Sequence, residues 1–487
     1  MAAVNCSQFH EGQLSTEETW MLEDLAAKEK IRYALLFLPF ILAYISWRWF
    51  PFFAEQAIFY VFHYVPTFQP THWLWYASAW VLYSWYTFLV IGVGGFFIVA
   101  AWISKERKFL KEKKDYPMVS FVIPAYNEER LIYRCITSLF ESASRYSGPS
   151  EIIVVDDGST DHTYEVAWTA IQAGKRQYLQ IYGKVVRHSA NLGRAEAVRT
   201  GVNKAMGEVI CAVDADSWWE PNTLRELVNR MGNDDIVALT GYIHPTDGKA
   251  ERNFLIIFQQ QEYSQALGVF RCAQALANSV FIVPGAIGLQ QADVFRDILN
   301  EREVHSITED FEATLEMRKR KLKVSYSNRA RSVTVAPASL VDFWKQRLRW
   351  FTGGLHNILD LHSDLLFRKQ WISALLWYSL IVEYGGAILE ILALLGLPLF
   401  FWFAPDRTFF LFNFLMFLLF VLTVGLILQA IALKFAYDQY NHKRLLFYAP
   451  LYLVLRFVNV CARLVCIIKY ALGERGSWHK AERPILS

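Results

Sequence analysis

Long uninterrupted apolar runs stand at both ends of this chain, and between them short apolar runs alternate with polar punctuation. Residues 33–53 and 79–103, then 371–403, 409–435 and 446–468, are each long enough to cross about 30 Å of hydrocarbon. They predict membrane-spanning helices. In the central stretch the runs are shorter and rich in β-branched residues. Strands are predicted over 119–123 (stopped by Pro124), 151–155 (ending at Asp156), around 184–186, and over 208–213 (ending at Asp214). Helices are predicted over 129–144, from about Thr163, and over 194–206. Short continuous apolar strands alternating with helices indicate an α/β fold with a parallel sheet covered on both faces. The predicted layout is an N-terminal segment with two spans (1–104), a soluble domain (105–340), interfacial amphipathic helices (341–370), C-terminal spans (371–470) and a basic tail (471–487).

Composition agrees with a membrane protein. Of 487 residues, 54% are hydrophobic and 16% aromatic, too many for an ordinary soluble chain. Lys28, Lys30 and Arg32 precede the first span, and six basic residues between Lys105 and Lys114 follow the second. The segment between the two spans, 54–73, has no Lys or Arg, so the N-terminus and central domain are expected in the cytoplasm. The first apolar run starts late and lacks a small-residue cleavage site, so no cleavable signal peptide is expected. Three C-terminal spans put the C-terminus outside, whereas Lys469, Arg475, Lys480 and Arg483 favour inside, so one run is re-entrant or interfacial. A net charge of +3 gives no reason to expect a nucleic-acid partner. The six cysteines lack paired metal-ligand spacing and are expected to be reduced thiols.

The polar motifs fall just past predicted strand ends, where ligands bind in parallel sheets. Tyr126 and Glu128 follow the first strand and offer a stacking face and an acceptor. Asp157, after the second, can accept from a base or ribose edge, although Asp-Gly-Ser-Thr-Asp is also good turn and cap chemistry. Arg194 opens a helix after Asn191-Leu192-Gly193 and can approach a diphosphate, or simply start that helix. Asp214 and Asp216 flank one residue, so both carboxylates can converge on a hard cation, Mg²⁺ or Mn²⁺, that bridges to phosphate. Alone, such a pair would be a solvated turn. Asp310, with Glu309 beside it, can remove a hydroxyl proton while the same acids cap a helix. Gln346, Arg349 and Trp350 lie at i, i+3 and i+4 on one helix face, as an acceptor site or as a basic-aromatic membrane-surface helix. Glu383 and Glu390 share a face inside a predicted span and either line a wet path or pair helices. No Gly-rich phosphate loop of the GxGxxG or GxxxxGK kind is present, which argues against dinucleotide enzymes and P-loop NTPases.

Taken in order, Asp156-Asp157-Gly158, Asp214-Ala215-Asp216, Thr308-Glu309-Asp310 and Gln346-Arg347-Leu348-Arg349-Trp350 resemble the motifs of processive family 2 glycosyltransferases. That group holds hyaluronan, chitin, cellulose and bacterial poly-N-acetylglucosamine synthases. The resemblance runs from about Val119 to Gly354, and the last motif with Gly353-Gly354 is most similar to the poly-N-acetylglucosamine type. It implies a GT-A domain inserted between transmembrane helices, a UDP-sugar donor, a divalent metal and inversion at the anomeric carbon. By the same resemblance, Asp157 would meet uracil or ribose, and Asp214 and Asp216 the UDP and metal. Asp310 would be the base, and Gln346, Arg349 and Trp350 would frame the acceptor. The implied product is a polysaccharide, from UDP-GlcNAc in the first instance, passed across a plasma (inner) membrane that the chain crosses several times. The implied partners are the donor, the growing polysaccharide and the bilayer, with an accessory export subunit left open. Two other readings are transfer of one sugar to a membrane lipid, and a transporter or scaffold with a relic transferase domain. Residues 283–288 sit where synthases vary with acceptor, and Trp478-His479-Lys480 matches the tails of relatives only loosely. No cyclic-nucleotide-binding extension is evident.

Overall fold

A computed structural model describes residues 34–48, 88–106, 116–232, 235–248, 253–277, 279–301, 306–403, 407–435, 445, 447–448 and 452–474. The basic flanks at 28–32 and 107–114, the 54–73 segment and the 478–483 tail lie outside those residues. The chain divides into two compact units, Met1–Ile103 and Ser104–Ser487. The first contains apolar helices at Leu35–Arg48 and from Ile91 onward, within the two N-terminal runs predicted to span.

The second unit is built on eight strands: β1 (Val119–Ala125), β2 (Ser150–Asp156), β3 (Ile181–Arg187), β4 (Val209–Ala212), β5 (Ser217–Trp219), β6 (Ile236–Thr246), β7 (Gly288–Gln291) and β8 (Lys323–Val335). They form one sheet in the order β3-β2-β1-β4-β7-β6-β8-β5. The helices between them include α1 (Ile132–Ser144), α2 (Thr163–Gln177), α3 (Arg194–Lys204), α4 (Thr223–Met231), α5 (Phe254–Gln265, with the helical path continuing to Leu276), α6 (Ala292–Glu301) and α7 (Glu309–Lys319). The first four strands are parallel, and β1 and β2 are buried along their whole length, as their unbroken apolar runs require.

Two expectations need correction. The sheet is mixed, because β7 runs antiparallel to both β4 and β6, and β5 antiparallel to β8. Gly-Leu-Gln-Gln carries almost no strand signal, so sequence pattern alone could not place β7. Its direction matters for the site: an antiparallel strand begins where its parallel neighbours end. The 283–287 loop therefore enters beside Asp214. The second correction concerns Pro124, which does not stop β1. Val122 accepts from Val213 on the β4 side, and Pro124, two residues on, turns its missing N–H the same way. β4 pairs no further than Val122, so no ladder bond is lost.

Beyond the sheet come α8 (Leu340–His356), an unbroken helical stretch over 371–403 that ends in α9 (Gly386–Phe403), α10 (Arg407–Phe435) and α11 (Tyr452–Ala471). Among the described residues, Trp371–Pro398 is long and apolar enough to cross a membrane (28 residues, mean hydropathy 1.9). Glu383 lies 3.8 Å from Arg463 and Glu390 pairs with Arg456, so both acids of that stretch face basic residues of α11.

The edge of the sheet opposite the motifs is held by a buried carboxylate. Glu151 accepts from the Ser120 hydroxyl (2.7 Å) and the Met206 amide (2.6 Å), and Lys184 lies 3.5 Å away. Replacing Glu151 with Leu strands both donors, each costing about 1–3 kcal/mol. A thermal melt should show a clear loss of stability.

Candidate active site

β2 ends at Asp156, and the Asp157 amide extends the ladder by one bond to the Ala125 carbonyl (2.8 Å). Gly158 follows with φ +68°, and a Cβ there would strike the backbone of Ala190 and Asn191, so the next loop lies directly against it. Asp157 is 1% exposed, and both of its oxygens are engaged. Oδ1 accepts from the Leu192 amide (2.9 Å) and lies 2.7 Å from His188 Nδ1, while Oδ2 accepts from the Gly193 amide (2.8 Å). His188 Nε2 lies 3.0 Å from the Thr200 hydroxyl. The side chain assigned from sequence to the nucleotide thus holds the loop from His188 to Gly193. Tyr126 is half-buried and Glu128 buried on a loop laced to 159–163, with the Glu128 amide donating to Thr163 (2.7 Å) and the Asn127 amide to Ser159 (3.0 Å).

That loop delivers Arg194 as the first residue of α3, after Gly193 at φ +93°. Arg194 Nε donates to Asp214 Oδ1 (3.0 Å), Nη2 reaches the same oxygen, and Nη1 pairs with Glu309. The Asp214 amide donates to the Gly285 carbonyl (2.9 Å). A Cβ on Gly285 would collide with the Arg194 guanidinium and the Asp214 carboxylate, so any other residue there would make that pair shift. Asp216 lies on the same loop and accepts from Ser217 (3.1 Å). Beneath it, the buried Cys135 thiol donates to the Asp214 carbonyl (3.6 Å), and burial, then Asp216 and Asp214, push its pKa well up.

Asp310 belongs to the same charge cluster. Burial pushes its pKa up and Asp214 adds to the effect, while Arg194, the Phe311 amide (2.8 Å) and Arg349 pull against it. Burial opposes the Arg194 charge, yet Asp214, Asp310 and Asp216 together hold its pKa above that of a free guanidinium. Arg271 is pulled down to about 10 by burial, with Tyr326 and Asp310 opposing. Asp214, Asp216, Glu309 and Asp310 come from distant parts of the chain, and the structure brings them together around Arg194.

The Thr308–Asp310 and Gln346–Trp350 motifs are fastened to each other. The buried Asn357 amide, just after α8, donates to Ser306 (2.7 Å), Thr308 (3.0 Å) and the Gly353 carbonyl (3.0 Å). Thr308 therefore spends its hydroxyl on this network and makes no side-chain cap to α7. Phe311 and Leu315 on α7 pack against Ile358, Leu365, Ile372 and Leu376. On α8, Gln346 keeps a buried side-chain oxygen that accepts no hydrogen bond among the described residues. Arg347 is 4% exposed and joins Glu262 on α5 (2.6 Å), where Asn459 on α11 also donates (3.0 Å). The Arg347 guanidinium lies 4.5 Å from the ring centres of both Phe343 and Trp350, so Trp350 is braced from beneath.

Among the described residues, no three or more His, Cys, Asp or Glu converge into a cage that could hold an ion unaided. Two carboxylates at a strand end do suit a hard divalent ion that completes its shell with phosphate oxygens and water. The guanidinium already drawn onto Asp214 shows that the position favours a cation.

Residues 120–299 match the family described as Glycosyl transferase family 2. The chain is 23% identical over 384 residues to a poly-beta-1,6-N-acetyl-D-glucosamine synthase of Staphylococcus epidermidis, covering 75% of this chain and 87% of the relative. A synthase of the same description from Staphylococcus aureus strain COL is 24% identical over 279 residues, covering 55% and 64%. Among solved structures, the mannosyltransferase PcManGT from Pyrobaculum calidifontis, in complex with GDP-Man and Mn²⁺, superposes with a TM-score of 0.52. It is 16% identical, and the overlap covers 78% of this chain and 95% of that one. The chain is a glycosyltransferase. Its central domain has a GT-A-like α/β fold.

The family match holds Asp157, Arg194, Asp214 and Asp216, whereas Glu309, Asp310 and the Gln346–Trp350 motif of the glycosyltransferase lie beyond it. Sequence reasoning passed over His188 and Arg347, and it noted the 283–288 segment without singling out Gly285. His188 follows the end of β3, so the strand-end rule used for β1, β2 and β4 would have found it. Arg347 stood inside a motif already singled out, one position off the face considered. Substituting Arg347 with Met leaves Glu262 without its buried partner and should cost about 3–5 kcal/mol. Combining it with Glu262→Gln should recover part of that loss in thermal melts; an additive double variant would disprove the coupling.

Proposed function

We propose that this glycosyltransferase is an inverting, processive polysaccharide synthase of a multi-pass membrane, with UDP-GlcNAc as its donor. The observation that carries the reading is the single charge cluster formed by Asp214, Glu309 and Asp310 around Arg194, with Arg349 of the acceptor helix within its field. The synthases it resembles over 75% of its length are named for polymerising N-acetylglucosamine, and they motivate the choice of sugar. Asp214 and Asp216 would hold Mg²⁺ or Mn²⁺, which when bound neutralises charge developing on the diphosphate. Tyr126, Glu128 and the Asp157-held loop would border the nucleotide.

The acceptor sugar enters from the side of α8, stacked on Trp350 and oriented by Gln346, whose orphaned oxygen can accept from a neighbouring hydroxyl of that sugar, and by Arg349. Asp310 takes the hydroxyl proton as the oxygen forms its bond to the anomeric carbon. The bond from that carbon to the diphosphate oxygen breaks on the opposite face, UDP leaves with the electron pair, and configuration inverts. Glu309 orients the site through Arg194. The elongated chain then passes along the helices over 371–471, with the catalytic domain in the cytoplasm.

Incubating the purified protein with Mn²⁺ and radiolabelled UDP-GlcNAc should give a ladder of products. A single lipid-soluble product would replace polymerisation with lipid glycosylation, and absence of UDP release from UDP-GlcNAc, UDP-Glc and UDP-GlcA would remove the donor assignment. Asp310→Asn should lower kcat by about 10²–10⁴-fold with UDP affinity intact. The base works only when ionised, so kcat should fall as pH drops, around a midpoint above the roughly 4 of a free carboxylate. EDTA should abolish turnover and Mn²⁺ restore it.

A further inference from the structure

Arg194 occupies a position that calls for explanation. Its guanidinium has two of its nitrogens on one oxygen of Asp214 and the third on Glu309. Asp214 is also a carboxylate that the reading above gives to the divalent metal. An ion cannot take that Asp214 oxygen while two guanidinium donors fill it. The same arginine lies at the end of a rigid path from the nucleotide side. Asp157 accepts from the amides of Leu192 and Gly193, and Arg194 is the next residue. Gly285 supplies the remaining condition, since any Cβ there would overlap the closed pair.

We infer that Arg194 is an internal counter-ion that holds the metal position of the empty enzyme and yields it only to the nucleotide diphosphate with its metal. Without donor, the guanidinium neutralises Asp214 and its acidic neighbours, and a free divalent ion must displace it to bind. A diphosphate arriving beside the Asp157-held loop gives the guanidinium a bidentate anionic partner. Arg194 then releases Asp214 to the metal, and Glu309 keeps it in place on the other side. Metal and nucleotide therefore bind with positive coupling, and free metal alone binds weakly. The coupling is reciprocal: metal strengthens UDP binding by the same factor. Arg194 acts here as a positioning residue. The inference rests on Asp214 being a metal ligand.

The test measures Mn²⁺ binding to the full-length protein in detergent or nanodiscs, by electron paramagnetic resonance, with and without UDP. The wild type should bind Mn²⁺ weakly alone and about tenfold or more tightly with UDP, within the usual range of coupling. Arg194→Met should bind Mn²⁺ more tightly than wild type in the absence of UDP, and the gain on adding UDP should shrink. A purely structural role for Arg194 would lower metal affinity or leave it unchanged, and either result in a variant with an unaltered melting temperature overturns the inference. Gly285→Ala is the second variant: its Cβ would overlap both the guanidinium and the Asp214 oxygens, so it should loosen their pairing and weaken the coupling, and tighter Mn²⁺ binding without UDP marks release of the guanidinium rather than damage to Asp214. If Arg194→Met misfolds, that variant decides alone, and undiminished coupling in it overturns the inference. Asp214→Asn separates the two claims. Should it bind Mn²⁺ with UDP as well as wild type does, the metal assignment is wrong and the inference falls with it. Loss of metal in Asp214→Asn beside unchanged binding in Arg194→Met would keep the assignment and discard only the counter-ion.

Discussion

The arrangement of this site depends on keeping several carboxylates close together. Asp214, Asp216, Glu309 and Asp310 would repel one another, and burial already pushes the Asp310 pKa upward. One guanidinium makes the arrangement tolerable by bonding Asp214 and Glu309 at once. Everything that fixes that guanidinium becomes part of the site: the Asp157 tether, the helix start at Arg194, and the glycine at 285 that leaves room for it. Arginine suits the task because its planar fork serves two carboxylates from fixed directions, which a lysine point charge cannot do.

Sequence pattern reached the parallel half of the sheet because those strands obey simple rules. Val119–Ala125 and Ser150–Asp156 are short, apolar and buried on both faces, and their polar residues fall just past the strand ends. The other half was hidden for physical reasons. Gln290 and Gln291 lie in a strand through pairing with β4, and their side chains carry no periodic signal. β8 places polar residues such as Ser325, Arg331 and Ser332 at buried positions, so its apolar signal is diluted. In the site, residue types and spacing pointed to the right neighbourhoods, yet they could not say what each oxygen touches. Asp157 illustrates this. Its place after β2 was legible, whereas its two amide partners lie 35 and 36 residues on and depend on the tertiary fold.

Asp310 and α8 share one support. Asn357 ties the loop before Asp310 to the end of α8, α7 rests on the segment over 358–376, and α8 packs through Leu355 and Phe351 against Tyr384 and Cys466. The distance between Asp310 and Arg349 is thereby set by the apolar helices that follow the catalytic domain, not by that domain alone. Glu262, bonded by both Arg347 and Asn459, adds a polar lock between α5, α8 and α11.

The direction of β7 has a consequence for how such an enzyme could change its specificity. The 283–287 loop reaches the site from a strand that runs against its neighbours, while the loops after β1, β2 and β4 come from strands running toward it. Its length and side chains can therefore vary without disturbing the loops after β1, β2 and β4, provided residue 285 leaves room for the Arg194–Asp214 pair. Such a loop can be exchanged between relatives as a single unit, because its own strand runs against both of the strands beside it.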